Sequence, residues 1–170
     1  MSRFFLAIRP SDAAIRHLRT ALLERLGEHT TLVPQGRWHI TVAFLGSVAH
    51  PPARLREQVE QLIVRRSMEP LRLRSSGSFG TACWIGLRPR HAVDQLHSQL
   101  RSLAADPKQV FTPHLTVLRA KQSQERRRFR QLLANYRGPR WTPHEVELIS
   151  STLGREVHHE TVASIQLWSP

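Results

Sequence analysis

Two short segments, Trp38-His39-Ile40-Thr41-Val42-Ala43-Phe44-Leu45 and Phe111-Thr112-Pro113-His114-Leu115-Thr116-Val117-Leu118, place the same demand on any fold this chain adopts. Successive side chains on a strand alternate between faces, so Ile40 and Val42, like Leu115 and Val117, point to one side. His39 and Thr41, like His114 and Thr116, then point together to the other. Each segment therefore reads as a half-buried strand with an apolar face for the core and a His/Thr face left open. If the two open faces meet, two acid/base groups and two hydroxyl donors share one space. That is the set needed to break a P–O bond without a metal.

The pattern needs weighing, because His-x-Thr is a short motif. Ten His and ten Thr among 170 residues give four matches, where about 0.6 are expected by chance. His29-Thr30-Thr31 falls in a polar connection, and His159-Glu160-Thr161 has a charged residue between its members. Neither reads as a half-buried strand. The other two share flanking residues and lie 75 residues apart, which suggests a duplicated plan. The plain alternative, two core strands each with a satisfied histidine, suits either strand alone better than it suits both together.

The rest of the chain supports duplication. Arg3 to Ile8 reads as a strand, Ser11 as the N-cap of a helix carrying Ile15, Leu18, Leu22 and Leu26, and Gly27 as its stop. After the first motif strand, Pro51-Pro52 opens a helix with Leu55, Val59, Leu62 and Ile63, and Leu71-Arg72-Leu73-Arg74 alternates as a strand. The order then recurs. A strand at 82–87 precedes a helix with Val93, Leu96, Leu100 and Leu103, and the second motif strand follows. Ser123 is expected to cap a helix using Phe129, Leu132, Leu133 and Tyr136, before strands at 146–149 and 162–168. Ser75-Ser76-Gly77-Ser78 reads as the linker, giving lobe one at about 1–75 and lobe two at about 79–170, with exchange of terminal strands left open.

Composition narrows the chemistry. Cys83 is the only cysteine, so no internal disulfide or thiolate zinc cluster can form. The ten histidines show no convincing metal-ligand spacing; no metal and no cofactor are expected. No stretch approaches the roughly eighteen apolar residues of a membrane span. Phe4-Phe5-Leu6-Ala7-Ile8 is too short for a signal peptide, so a cytoplasmic protein is expected. A net charge of +12 favours polyanionic partners such as RNA. Only Lys108 and Lys121 are lysines, so the charge is also consistent with a genome that favours arginine, and Arg126-Arg127-Arg128-Arg130 reads as a solvated helix face.

Taken with Phe4-Phe5-Leu6-Ala7-Ile8 and Cys83-Trp84-Ile85-Gly86-Leu87, the two His-x-Thr blocks resemble those of the 2H phosphoesterase superfamily. The resemblance is to its RNA 2′,3′-cyclic phosphodiesterase group, also called 2′,5′-RNA ligase or LigT-like, and covers nearly the whole chain. It implies an α+β, bilobal, pseudo-symmetric fold, two β-α-β-α-β type lobes whose antiparallel sheets line a central cleft. It also implies metal-independent hydrolysis of terminal 2′,3′-cyclic phosphates of RNA to 2′-phosphomonoesters, and in some relatives a weak reversible 2′,5′ ligation of tRNA halves. One departure stands out: in Gly154-Arg155-Glu156-Val157-His158-His159 a histidine takes the place of the family's usual tyrosine.

By resemblance, His39 is the acid at O3′, His114 the base, and Thr41, Thr116 and Arg119 the phosphate-binding residues. Strict alternation from Thr116 turns Arg119 away, so its role needs the strand to end or twist there. Trp84 and Phe79 are candidates for stacking on a terminal base, with core packing the alternative; Trp38, Trp141 and Trp168 read as packing. The expected partner is RNA with a 2′,3′-cyclic phosphate end, such as tRNA halves or short oligonucleotides, and a monomer is expected. Two alternatives stay open, a 2′,5′-phosphodiesterase or small cyclic-nucleotide hydrolase, and a non-catalytic RNA-binding module.

Overall fold

The computed structural model describes residues 2–49, 52–152 and 157–168. The described residues run β1 (Ser2–Ile8), α1 (Asp12–Leu26), β2 (Ile40–Gly46), α2 (Pro52–Leu62), β3 (Leu71–Phe79), β4 (Ala82–Arg88), α3 (Arg90–Leu100), β5 (His114–Arg119), α4 (Ser123–Leu133), β6 (Arg137–Trp141), β7 (Glu145–Thr152) and β8 (His158–Gln166). Short 3-10 turns at Gln35–Arg37 and Arg101–Leu103 precede β2 and follow α3. No helix among the described residues is long and apolar enough to cross a membrane.

Local chemistry accounts for most boundaries. The Ser11 side chain accepts from the Ala14 N–H at 3.2 Å and caps α1, and Gly27 at φ +107° lets the chain leave it. Ser123 is not a cap. Helix α4 begins at Ser123 itself, after Gln122, whose side chain makes no capping bond. Tyr136 lies beyond that helix, buried, with its hydroxyl 3.0 Å from His17 Nδ1.

The strands form two antiparallel four-stranded sheets, β2-β1-β7-β8 and β5-β4-β3-β6, in contact through β2 and β5 as one curled eight-stranded half-barrel. The lobes are therefore not the two halves of the chain. Residues 75–78, expected to be a linker, continue β3 into the second sheet. The reason is the connection: Phe79 pairs with Ala82 across a two-residue turn with Gly80 at φ +55°, and so short a turn forces β3 and β4 together as a hairpin. The small residues meet a different need, since a Cβ at Gly77 would lie 2.2 Å from the Trp84 ring. At the other end, β7 returns to pair with β1 in the first sheet.

Strand β6, Arg-Gly-Pro-Arg-Trp, is not foreshadowed by the sequence pattern. Gly and Pro lower its strand propensity, and it is tolerated as an edge strand. One buried cluster joins Leu6, Ile8, Ile40 and Val42 of the first sheet to Leu73, Ile85, Leu115 and Val117 of the second. Cys83 is buried there, its thiol pushed up by burial. Trp38 and Trp141 are buried as expected, whereas Trp168 is 43% exposed and does not pack as a core residue.

Candidate active site

The motif strands β2 and β5 are the adjoining edges of the two sheets. Ile40, Val42, Leu115 and Val117 enter the core, while Thr41, His114 and Thr116 turn to the other face. Thr41 and His114 line one cleft of about 510 Å³, together with Phe79, His97, Phe111 and Thr112. His97 ties α3 to β2, its Nδ1 2.7 Å from the Val42 carbonyl oxygen, and its ring stacks on Phe111 with centroids 4.0 Å apart.

His39, one residue before β2, is half-buried and stacks on Phe5 at a centroid separation of 4.8 Å. Phe5, Ala7 and Ile149 form a small apolar floor on this inner face, separate from the main core. The His39 ring is pushed down to about 4, first by burial, then by His159 and Arg9; the Arg37 carbonyl opposes this and the Arg37 charge adds to it. Its Nδ1 is buried without a hydrogen-bond partner among the described residues.

His114 is fixed more firmly. Its Nδ1 lies 2.7 Å from the Thr112 carbonyl oxygen, which leaves Nε2 as the acceptor in the neutral ring. The edge of Phe79 meets the ring at 4.7 Å, and Trp84 lies at 5.8 Å. Burial lowers this histidine too, while the Thr112 carbonyl works in the opposite direction. Phe79 is 48% exposed and Trp84 half-buried, so both aromatics line the cleft face rather than the core. The Trp84 Nε1 is buried with no hydrogen-bond partner among the described residues.

Thr116 pairs with Trp84 across β4 and β5 and shares the face of His114. Beyond it the alternation breaks. From the Trp84–Thr116 pair to the Cys83–Leu118 pair the chain takes one step along β4 and two along β5, and Val117 and Leu118 are both buried. This bulge returns Arg119 to the side of Thr116, which strict alternation denied it. Arg119 is exposed, its Nη1 3.4 Å from Thr81 Oγ1 at the hairpin turn, and lines a different pocket from His114.

His159, set aside on sequence grounds for its charged neighbour, comes to the site in the structure. It lies on β8, half-buried, with its ring 5.3 Å from both His39 and Phe5. Burial lowers its affinity for protons first, then Arg37, Arg9 and His158. Beside it, Glu147 accepts from Arg9 Nε at 2.7 Å and from the Thr161 hydroxyl at 2.9 Å. The alternation that places His159 and Thr161 on one face was legible, but β8 is an edge strand with mostly exposed residues, so no apolar stripe announced it. Of the departing segment, 154–156 lie outside the described residues. His29 is exposed in the turn after α1.

The chain's likeness to known proteins agrees with this geometry. A sequence model of the 2′-5′ RNA ligase superfamily matches residues 32–155, a span containing both motif strands. No curated protein matches the chain significantly. Among solved structures, E. coli LigT complexed with 3′-AMP is 22% identical with a TM-score of 0.76, covering 97% of each chain. The protein TT0787 of Thermus thermophilus is 18% identical with a TM-score of 0.73, again over 97% of each. A protein solved as a phosphoesterase is 24% identical with a TM-score of 0.67, over 99% of this chain and all of that one. At these identities the likeness is one of fold.

Proposed function

The chain belongs to the 2′-5′ RNA ligase superfamily, and from that premise we propose that it hydrolyses terminal 2′,3′-cyclic phosphates of RNA to 2′-phosphomonoesters. The observation that carries this reading is the shared cleft: Thr41 from one motif strand and His114 from the other line it together. His39 and Thr116 belong to the same two inner faces. E. coli LigT, which shares the fold, has been solved with 3′-AMP and with phosphate, and this supports a nucleotide phosphate as the ligand of this chain.

In the reaction one histidine takes a proton from water, and the resulting hydroxide attacks phosphorus. The P–O3′ bond breaks, the other histidine protonates O3′, and the phosphate remains on O2′. The hydroxyls of Thr41 and Thr116 donate to the non-bridging oxygens, and Arg119 adds charge at the rim. The acid role falls to His39 and the base role to His114. The surroundings of His39 favour its neutral ring, and the bound substrate's negative charge works in the opposite direction, toward the protonated acid.

Product analysis on an RNA oligomer ending in a 2′,3′-cyclic phosphate, with excess EDTA, tests this. A 2′-phosphate product is expected, with turnover reduced about 10²–10⁴-fold in His39→Ala and in His114→Ala. A 3′-phosphate product, or activity lost in EDTA and restored by zinc or manganese, would overturn it. RNA binding without turnover would identify a binding module instead.

A further inference from the structure

The strongest unexplained feature lies on the sheet face that carries His114. Paired residues of an antiparallel sheet share a face, so the register can be read across the strands. One row runs Arg137 (β6), Arg74 (β3), Gly86 (β4) and His114 (β5). The next runs Arg140, Arg72 and Arg88. These five arginines line one open cleft of about 660 Å³, with Glu69 at its margin.

This arrangement works against the fold. Like charges directly opposite on neighbouring strands are destabilising. The Arg72 guanidinium is held below the usual arginine value, first by desolvation and then by Arg137, Arg140 and Arg74. Among the described residues no carboxylate forms an ion pair with any of the five, and Glu69 is 3.1 Å from His91 instead. A surface needing only solvation mixes its signs. Five arginines without counter-charges suit an anion of several charges that comes from outside.

The arginines and His114 share this sheet face, with Gly86 and the edge of the Trp84 ring between them. Gly86 separates Arg74 from His114 in their row, where a side chain would meet the Arg74 carbonyl at 3.1 Å and Trp84 at 3.6 Å. With strands about 4.8 Å apart, Arg74 lies roughly 10 Å from His114 and Arg137 one strand further, within reach of a strand's next few phosphates.

We propose that Arg72, Arg74, Arg88, Arg137 and Arg140 hold the phosphodiester backbone of a single RNA strand, on the 5′ side of the terminal nucleotide held at His114. The proposal rests on the reading of the Thr41 and His114 cleft as an RNA phosphodiesterase site. It makes the protein selective for oligonucleotides over mononucleotides, because a mononucleoside 2′,3′-cyclic phosphate has no upstream phosphate to bind.

The test compares kcat/KM on a cytidine 2′,3′-cyclic phosphate and on a single-stranded oligomer with the same end, for the parent and the variant Arg72→Gln/Arg74→Gln/Arg140→Gln. The oligomer-to-mononucleotide ratio should fall at least tenfold in the variant. It should not move in the charge-matched control Arg16→Gln/Arg19→Gln/Arg127→Gln, whose arginines are exposed on the outer helices. Fluorescence anisotropy with the oligomer gives a second reading. Losing three phosphate contacts should flatten the slope of log K against log salt by about 2. An unchanged ratio with an unchanged salt slope overturns the proposal, as does equal loss in the control. If neither substrate turns over, the proposed reaction fails, and anisotropy alone still decides the arginine surface. Stronger binding to anionic phospholipid vesicles than to RNA, lost in the variant, would overturn RNA as the occupant.

Discussion

His39 and His114 have the same sequence setting and different physical ones. The Thr112 carbonyl anchors His114, whereas His39 sits against Phe5 and His159 with Arg9 and Arg37 close enough to disfavour its charge. Its pKa is depressed, so in the free protein the ring is neutral above about pH 4 and gains its proton only below. The profile of kcat/KM, which reports free enzyme, should therefore show a limb near pH 4, and that of kcat should show it at higher pH, because bound phosphate favours the cation. Arg9→Gln removes a cation and frees Glu147, so it should move the kcat/KM limb upward. A limb at the ordinary histidine value in the parent, or no movement in Arg9→Gln, would sink this account. His159 touches His39, so His159→Ala is expected to shift the same limb, whereas the exposed His29→Ala is expected to leave it in place.

Strand β3 owes its course to its small residues, Ser75, Ser76, Gly77 and Ser78. Serine and glycine in a row look like a linker, yet here they let a strand pass beneath an indole. Trp84 lies over Gly77 so closely that any side chain there must displace it. Gly77→Ala should cost about 1–3 kcal/mol in urea unfolding, the range for overpacking a filled site. In a Trp84→Ala background the same substitution should cost much less, and additive losses would show that the ring is not what the added methyl meets. The bulge in β5 is a comparable case, since it needs no special residue and still returns Arg119 to the strand face of Thr116.

Across the whole molecule, each half sends elements into the other. Strand β3 pairs in the second sheet and β7 in the first, α1 packs on β6, and α3 packs on β2. A single buried cluster spans both sheets. Neither lobe can keep its core while the other unfolds, so one cooperative transition is expected despite the bilobal shape. Far-UV circular dichroism and tryptophan fluorescence should follow coincident urea curves. Two separated transitions would mean that the lobes are independent folding units.

The alternation of Ile40, Val42, Leu115 and Val117 with His39, Thr41, His114 and Thr116 was enough to place two half-buried strands and their open faces, because strand geometry acts over two residues. The helices and their Ser11 and Gly27 boundaries were legible for the same local reason. Three features depended on distant partners. Strand exchange follows from which edges pair, His159 gains its importance from lying beside Phe5 and His39, and the arginine face exists only once β3, β4 and β6 are in register. Their residues are far apart in the chain, and register is set by the packing of whole sheets, so no local pattern could bring them together.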